Sequence, residues 1–125
     1  MFIEIDPAGS EAIYIQLMKQ IKKAIVKQDV QKGELLPSVR ILAGDLGVNM
    51  HTVNKAYNLL ADQGILAKSQ KGYAVDGSTK VPEGWEEQIQ ERLEELLVDI
   101  YIHDLPPEKV VDWTEEISKN LKREW

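Results

Sequence analysis

The 125-residue sequence predicts a mainly α-helical chain with one small β-hairpin near its middle. Three observations carry that expectation. Apolar residues recur at helical spacing in five separate stretches. Glycine, proline and capping residues punctuate those stretches. One pair of short β-prone runs, Ile65-Leu66-Ala67 and Tyr73-Ala74-Val75, interrupts them.

Taken in order, Phe-Ile-Glu-Ile at residues 2–5 reads as a short extended arm before Pro7. From about Ser10 to Gln28, Ile13, Leu17, Ile21, Ala24 and Ile25 form a helical stripe, with Ser10 or Glu11 near its start. Its other face carries Lys19, Lys22, Lys23 and Lys27. "QKGELLP" reads as a loop because Gly33 and Pro37 punctuate it. Ser38 can then cap a short helix whose buried stripe is Val39, Leu42, Ala43 and Leu46. Gly47 supplies the positive φ that ends a helix sharply. Asn49 caps the next helix, which runs to about Gln63 with Val53, Ala56, Tyr57 and Leu60 on its apolar face.

Helix, short turn and helix is the arrangement that sets two helices at a steep angle. The two β-prone runs follow Gly64, with the polar, basic Lys68-Ser69-Gln70-Lys71-Gly72 as the hairpin tip. Three helices and this hairpin make a winged helix-turn-helix over residues 1–76. Beyond it, Trp85, Ile89, Leu93, Leu96, Leu97 and Ile100 form a stripe from about Glu83 to His103. "DLPPEKV" breaks the pattern, with Pro107 suited to a first helical turn. Val110, Trp113, Ile117 and Leu121 then form a second stripe. Residues 77–125 are thus a two-helix hairpin, joined to the head through the turn-rich "DGSTKVPEG".

The net charge of −6 argues at first against a polyanionic partner. Its distribution along the chain argues the other way. Residues 1–76 hold 9 Lys/Arg and 8 Asp/Glu, whereas residues 77–125 hold 6 and 13. The head can bind a polyanion; the tail cannot. Absent cysteines suit a reducing cytosol and remove thiolate metal sites and cysteine nucleophiles. The start carries acids where a signal peptide carries lysines, and no apolar run approaches the ~20 residues that span a bilayer. A soluble cytoplasmic protein with no membrane partner is expected. Glycine-rich phosphate loops, nucleophile elbows and zinc motifs are missing, so neither an enzyme nor a cofactor is expected. Asp99 and His103 stand one helical turn apart but lack the further ligands a metal site needs.

In a helix-turn-helix the second helix enters the major groove and its early residues meet base edges. Asparagine can pair with adenine N6 and N7 together, which makes Asn49 and Asn54 candidate readers, although Asn49 is also the cap. Thr52 and Lys55 suit phosphates, and Lys71 suits a phosphate or the adjoining minor groove. Arg40 can make bidentate contacts with phosphate or guanine. The same polar residues would also suit a merely solvated helix face.

"LPSVRILAGDLGVNMHTVNKAYNLLADQGIL" resembles the winged-helix domain of the GntR family of bacterial transcription regulators. The resemblance runs from "IYIQLMKQIKKAI" to "KGYAV" and rests on P-S-x-R, L-G-V and T-V-x-x-A-Y. With its short helical tail the chain looks most like the YtrA subfamily. The resemblance implies operator contacts from Arg40, Asn49, His51, Thr52 and Gly72. Ser38, beside Arg40, and Met50 belong to the same candidate surface. Many relatives carry arginine where Met50 and Asn54 stand, and Gln70 replaces the first glycine of the usual wing G-x-G.

Larger relatives attach a small-molecule domain after the winged helix, and this tail is too short to be one. An effector is allowed but not indicated; Trp85, Trp113 and Trp125 read as packing residues rather than a pocket. One helical hairpin cannot cover both tail stripes, so a homodimer is expected. Two-fold pairing would present two recognition helices to a palindromic operator on double-stranded DNA. The expected function is a dimeric repressor, and the resemblance adds transporter genes as commonly controlled targets. The alternative is a winged-helix protein-interaction module whose acidic tail binds a protein partner.

Overall fold

A computed structural model of the chain describes residues 1–78 and 80–122; Trp125 lies outside the described residues. Contacts divide the chain into two units, Met1–Ser78 and Thr79–Trp125. The first holds α1 (Ile13–Val26), α2 (Val39–Leu46), α3 (Met50–Asp62) and the hairpin of β1 (Leu66–Ser69) and β2 (Gly72–Val75). The second holds α4 (Trp85–Tyr101) and α5 (Pro107–Asn120).

Helix α3 is the centre of the first unit, packed on α1, α2 and β1. Its expected apolar residues, Val53, Ala56, Tyr57 and Leu60, are all fully buried. From α1 the core takes Leu17, Ile21 and Ala24 as the spacing predicts, together with Met18, which the predicted stripe omits. Ile13 and Ile25, at the ends of that stripe, are half-buried. Helix α2 contributes Leu42 and Ala43, and the hairpin contributes Leu66, Tyr73 and Val75.

Several local expectations are corrected. Helix α1 begins at Ile13, with Ala12 at the cap position and no side chain capping it. Ser10 and Glu11 lie ahead of the helix, and the Glu11 carboxylate is instead ion-paired with Lys19. The N-terminal arm is held against α1 by two of its glutamines: Glu4 N–H donates to Gln20 Oε1 at 2.8 Å, and Asp6 N–H to Gln16 Oε1 at 2.9 Å.

"QKGELLP" is more than a loop. Leu36 N–H donates to the Tyr73 carbonyl at 2.8 Å, and Gly33 N–H to the Val75 carbonyl at 2.8 Å. Leu35 bridges Ala74 antiparallel, so the segment pairs with the wing as a strand-like third member. Its composition hides this, because pairing with a distant strand leaves no local periodicity. The wing itself is tighter than predicted. Ser69 pairs with Gly72, so Lys68 and Ser69 belong to β1 and only Gln70 and Lys71 form the turn.

Both tail helices form, with Pro107 in the first turn of α5. Neither contains a buried residue. Trp85, Leu93, Leu96, Trp113 and Ile117 are exposed, and Ile89, Leu97, Ile100, Val110 and Leu121 are half-buried. Each stripe therefore keeps exposed apolar residues beside half-covered ones. No described helix is long and apolar enough to cross a membrane.

Tyr57 ties the first unit together. Its ring meets Tyr73 of the wing edge-to-face at 5.0 Å between centroids, and its hydroxyl donates to the Pro37 carbonyl at 2.8 Å. Burial raises the phenol pKa well above the usual tyrosine range, so the group stays a neutral donor. Tyr57→Phe leaves the Pro37 carbonyl without this donor and should cost about 1–2 kcal/mol. Urea unfolding of the two proteins checks this through the shift in midpoint at unchanged slope.

Candidate nucleic-acid interface

The surface around the α2–α3 turn is built from caps. Ser38 has extended backbone (φ −61°, ψ 156°) and its Oγ accepts the Ile41 N–H at 3.2 Å, which starts α2 and turns Arg40 outward into solvent. Gly47 ends α2 at φ +67°. The Val48 N–H reaches back to the Ala43 carbonyl at 3.0 Å and the Gly47 N–H to Gly44 at 3.4 Å, the paired bonds of a Schellman turn. Asn49 follows with φ −70° and ψ 138°, and its Oδ1 accepts the His51 N–H at 2.7 Å. Two helix ends are thus satisfied within three residues, and Met50 and His51 in the first turn of α3 face solvent.

Val39, Asn49, Met50, His51 and Asn54 line one shallow open groove. It joins the start of α2 to the first turn of α3. Met50, His51 and Asn54 are exposed, and Met50 keeps 47% of its surface accessible. Thr52 is half-buried and lies outside the groove. Lys55 is exposed with its ammonium 4.0 Å from the centre of the Tyr14 ring, a cation–π contact that holds the charge against α1. Tyr14 is absent from the predicted surface; an aromatic at the start of a helix gives no sequence signal that a lysine far along the chain will lie over it.

The wing tip is separate from the groove. Lys71 is exposed in the two-residue turn, its N–H donating to Ser69 Oγ at 3.2 Å. Gly72 has φ +122°, a conformation that disfavours any side chain although space for a Cβ exists. Asn58 is half-buried, and its Oδ1 accepts the Tyr73 hydroxyl. Val39, expected only in the buried stripe of α2, lines the groove as well.

The family model described as bacterial regulatory proteins, gntR family, matches residues 13–75. The chain belongs to that family. It is a DNA-binding transcription regulator, not an enzyme. The HTH-type transcriptional repressor YtrA of Bacillus subtilis (strain 168) is 36% identical over 123 residues, covering 96% of this chain and 95% of that protein. Among solved structures, a transcriptional antiterminator from Listeria monocytogenes EGD-e superimposes with a TM-score of 0.88 at 27% identity, over 97% of this chain and 92% of that one. The AraR DNA-binding domain in complex with operator ORX1 matches 60% of this chain and 98% of its own, with a TM-score of 0.52 and 26% identity. The YtrA-like resemblance therefore extends beyond the winged helix through the tail.

The cap assigns Asn49 a structural duty that can be measured. Asn49→Ala should destabilise the fold by about 1 kcal/mol, and Asn49→Ser, which keeps a capping oxygen, by much less. Thermal unfolding of the three proteins would show the alanine variant alone clearly lowered; equal midpoints would show that the cap contributes nothing.

Proposed function

We propose that this protein is a dimeric repressor that reads a palindromic operator through the groove face of α3. The observation that carries the reading is the convergence of Met50, His51 and Asn54 on one solvent-facing groove at the first turn of α3, the turn that meets base edges in this class of DNA-binding motif. Arg40 stands exposed next to that groove, with no ion pair among the described residues, and is assigned a phosphate or guanine contact. Ser38, Thr52 and Lys55 flank the duplex backbone, and Lys71 and Gly72 bring the wing to the neighbouring phosphates or minor groove. Asn49 serves the surface by fixing the start of α3.

Dimerisation supplies the second half of the operator. Supporting it are the partly exposed apolar stripes of α4 and α5, where Leu96 and Ile117 keep 60% and 57% of their surface accessible. Exposed apolar faces of this extent favour a partner of the same kind, and two-fold pairing covers both stripes at once. The acidic tail repels phosphate, which keeps the duplex on the head. Repression follows from occupancy: a promoter covered by the dimer excludes polymerase. The likeness to the B. subtilis repressor supports this sign of regulation, and the YtrA-like resemblance points to transporter genes as targets.

The test is enrichment of fragments of the source genome on purified protein near physiological salt, with Arg40→Ala in parallel. A few fragments sharing an inverted repeat, lost or weakened at least tenfold in the variant, are expected. Raising the salt should weaken retention steeply, because each neutralised phosphate releases counterions. Salt-insensitive retention, or none above bare resin, would instead favour a winged helix that binds protein.

A further inference from the structure

Helix α3 and its cap carry three asparagines, and the protein itself uses two of them. Asn49 Oδ1 accepts the His51 N–H, and Asn58 Oδ1 accepts the Tyr73 hydroxyl. An asparagine selects adenine when its amide oxygen accepts from N6 and its nitrogen donates to N7, which uses both ends of the amide. The internal bonds fix the amides of Asn49 and Asn58 in orientations set by the fold. Asn54 remains. It is exposed, lines the groove one turn into α3, and makes no side-chain hydrogen bond among the described residues.

Met50 stands four residues earlier, on the same face and in the same groove, with Val39 beside it. A thioether offers no donor to a base edge, and the apolar feature in the major groove is the thymine C5-methyl. The groove face of this helix offers guanine no arginine or lysine. The chain's three arginines are Arg40, Arg92 and Arg123, none of them in α3. The one cation of α3, Lys55, lies over Tyr14 and outside the groove. His51 presents one ring edge at a time and cannot engage guanine O6 and N7 together.

We infer that Asn54 and Met50 make α3 a reader of adenine–thymine pairs, with the Asn54 amide spanning adenine N6 and N7 and the Met50 side chain packed on a neighbouring thymine methyl. This rests on the DNA-reading function proposed above. It assigns the base preference of each half-site to two residues, and leaves Arg40 as the candidate for any guanine contact.

The test is selection of randomised duplexes by the full chain, compared with Asn54→Arg, Asn54→Ala and Met50→Ala. The natural protein should enrich half-sites with an adenine that Asn54→Arg replaces by guanine at the same position. On the enriched duplex, 7-deaza-adenine at that position should weaken the natural protein roughly tenfold and leave Asn54→Ala unaffected. Uracil in place of the neighbouring thymine should weaken the natural protein and leave Met50→Ala unaffected. If the natural protein enriches nothing, the DNA-reading function fails and this inference falls with it. If it enriches an inverted repeat that Asn54→Arg selects unchanged, or tolerates both modified bases, the inference alone is overturned.

Discussion

The buried phenol of Tyr57 is the constraint on which the head depends. One side chain of α3 touches the wing through the Tyr73 ring and the entrance to α2 through the Pro37 carbonyl. A ring in that position fixes three elements against one another at once. The orientation of α3 then follows, and with it the direction in which Met50, His51 and Asn54 face. The wing is tied to the same point twice more, by the Asn58 bond to Tyr73 and by the pairing of residues 33–36 with β2. A tyrosine there satisfies packing and hydrogen bonding together, whereas an aliphatic side chain would leave the carbonyl without its donor.

This arrangement sorts the family motifs into architecture and recognition. In T-V-x-x-A-Y the Val53, Ala56 and Tyr57 side chains are fully buried. In P-S-x-R the proline supplies the carbonyl that Tyr57 binds and the serine caps α2. In L-G-V the glycine adopts the left-handed conformation that ends α2. What the motifs leave unspecified, Met50, His51, Asn54 and Lys55, is exposed surface. A fold specified by its buried positions can keep its shape while its exposed ones change the sequence it reads.

That division also explains how much of the molecule is legible in its sequence. The five helices and the wing can be read because helical spacing and capping are local signals. The caps at Ser38 and Asn49 and the stop at Gly47 stand where the residue chemistry puts them. The strand-like pairing of Leu35, the holding of the arm by Gln16 and Gln20, and the seat of Lys55 on Tyr14 cannot be read. Each joins residues far apart in sequence, and none leaves a period or a punctuation mark. The candidate surface is legible as a face; which of its amides are committed internally is not, because Asn49, Asn54 and Asn58 are chemically identical until their partners are known.

The most direct measurement is a hydroxyl-radical footprint of the protein on a fragment it retains from its own genome. Two symmetric protected segments on one face of the duplex, their centres about one helical turn or a small multiple apart, are predicted for paired recognition helices in successive major grooves. A single protected segment would contradict the dimeric reading. No protection at a concentration that retains the fragment would contradict the assignment of the α3 groove face to DNA.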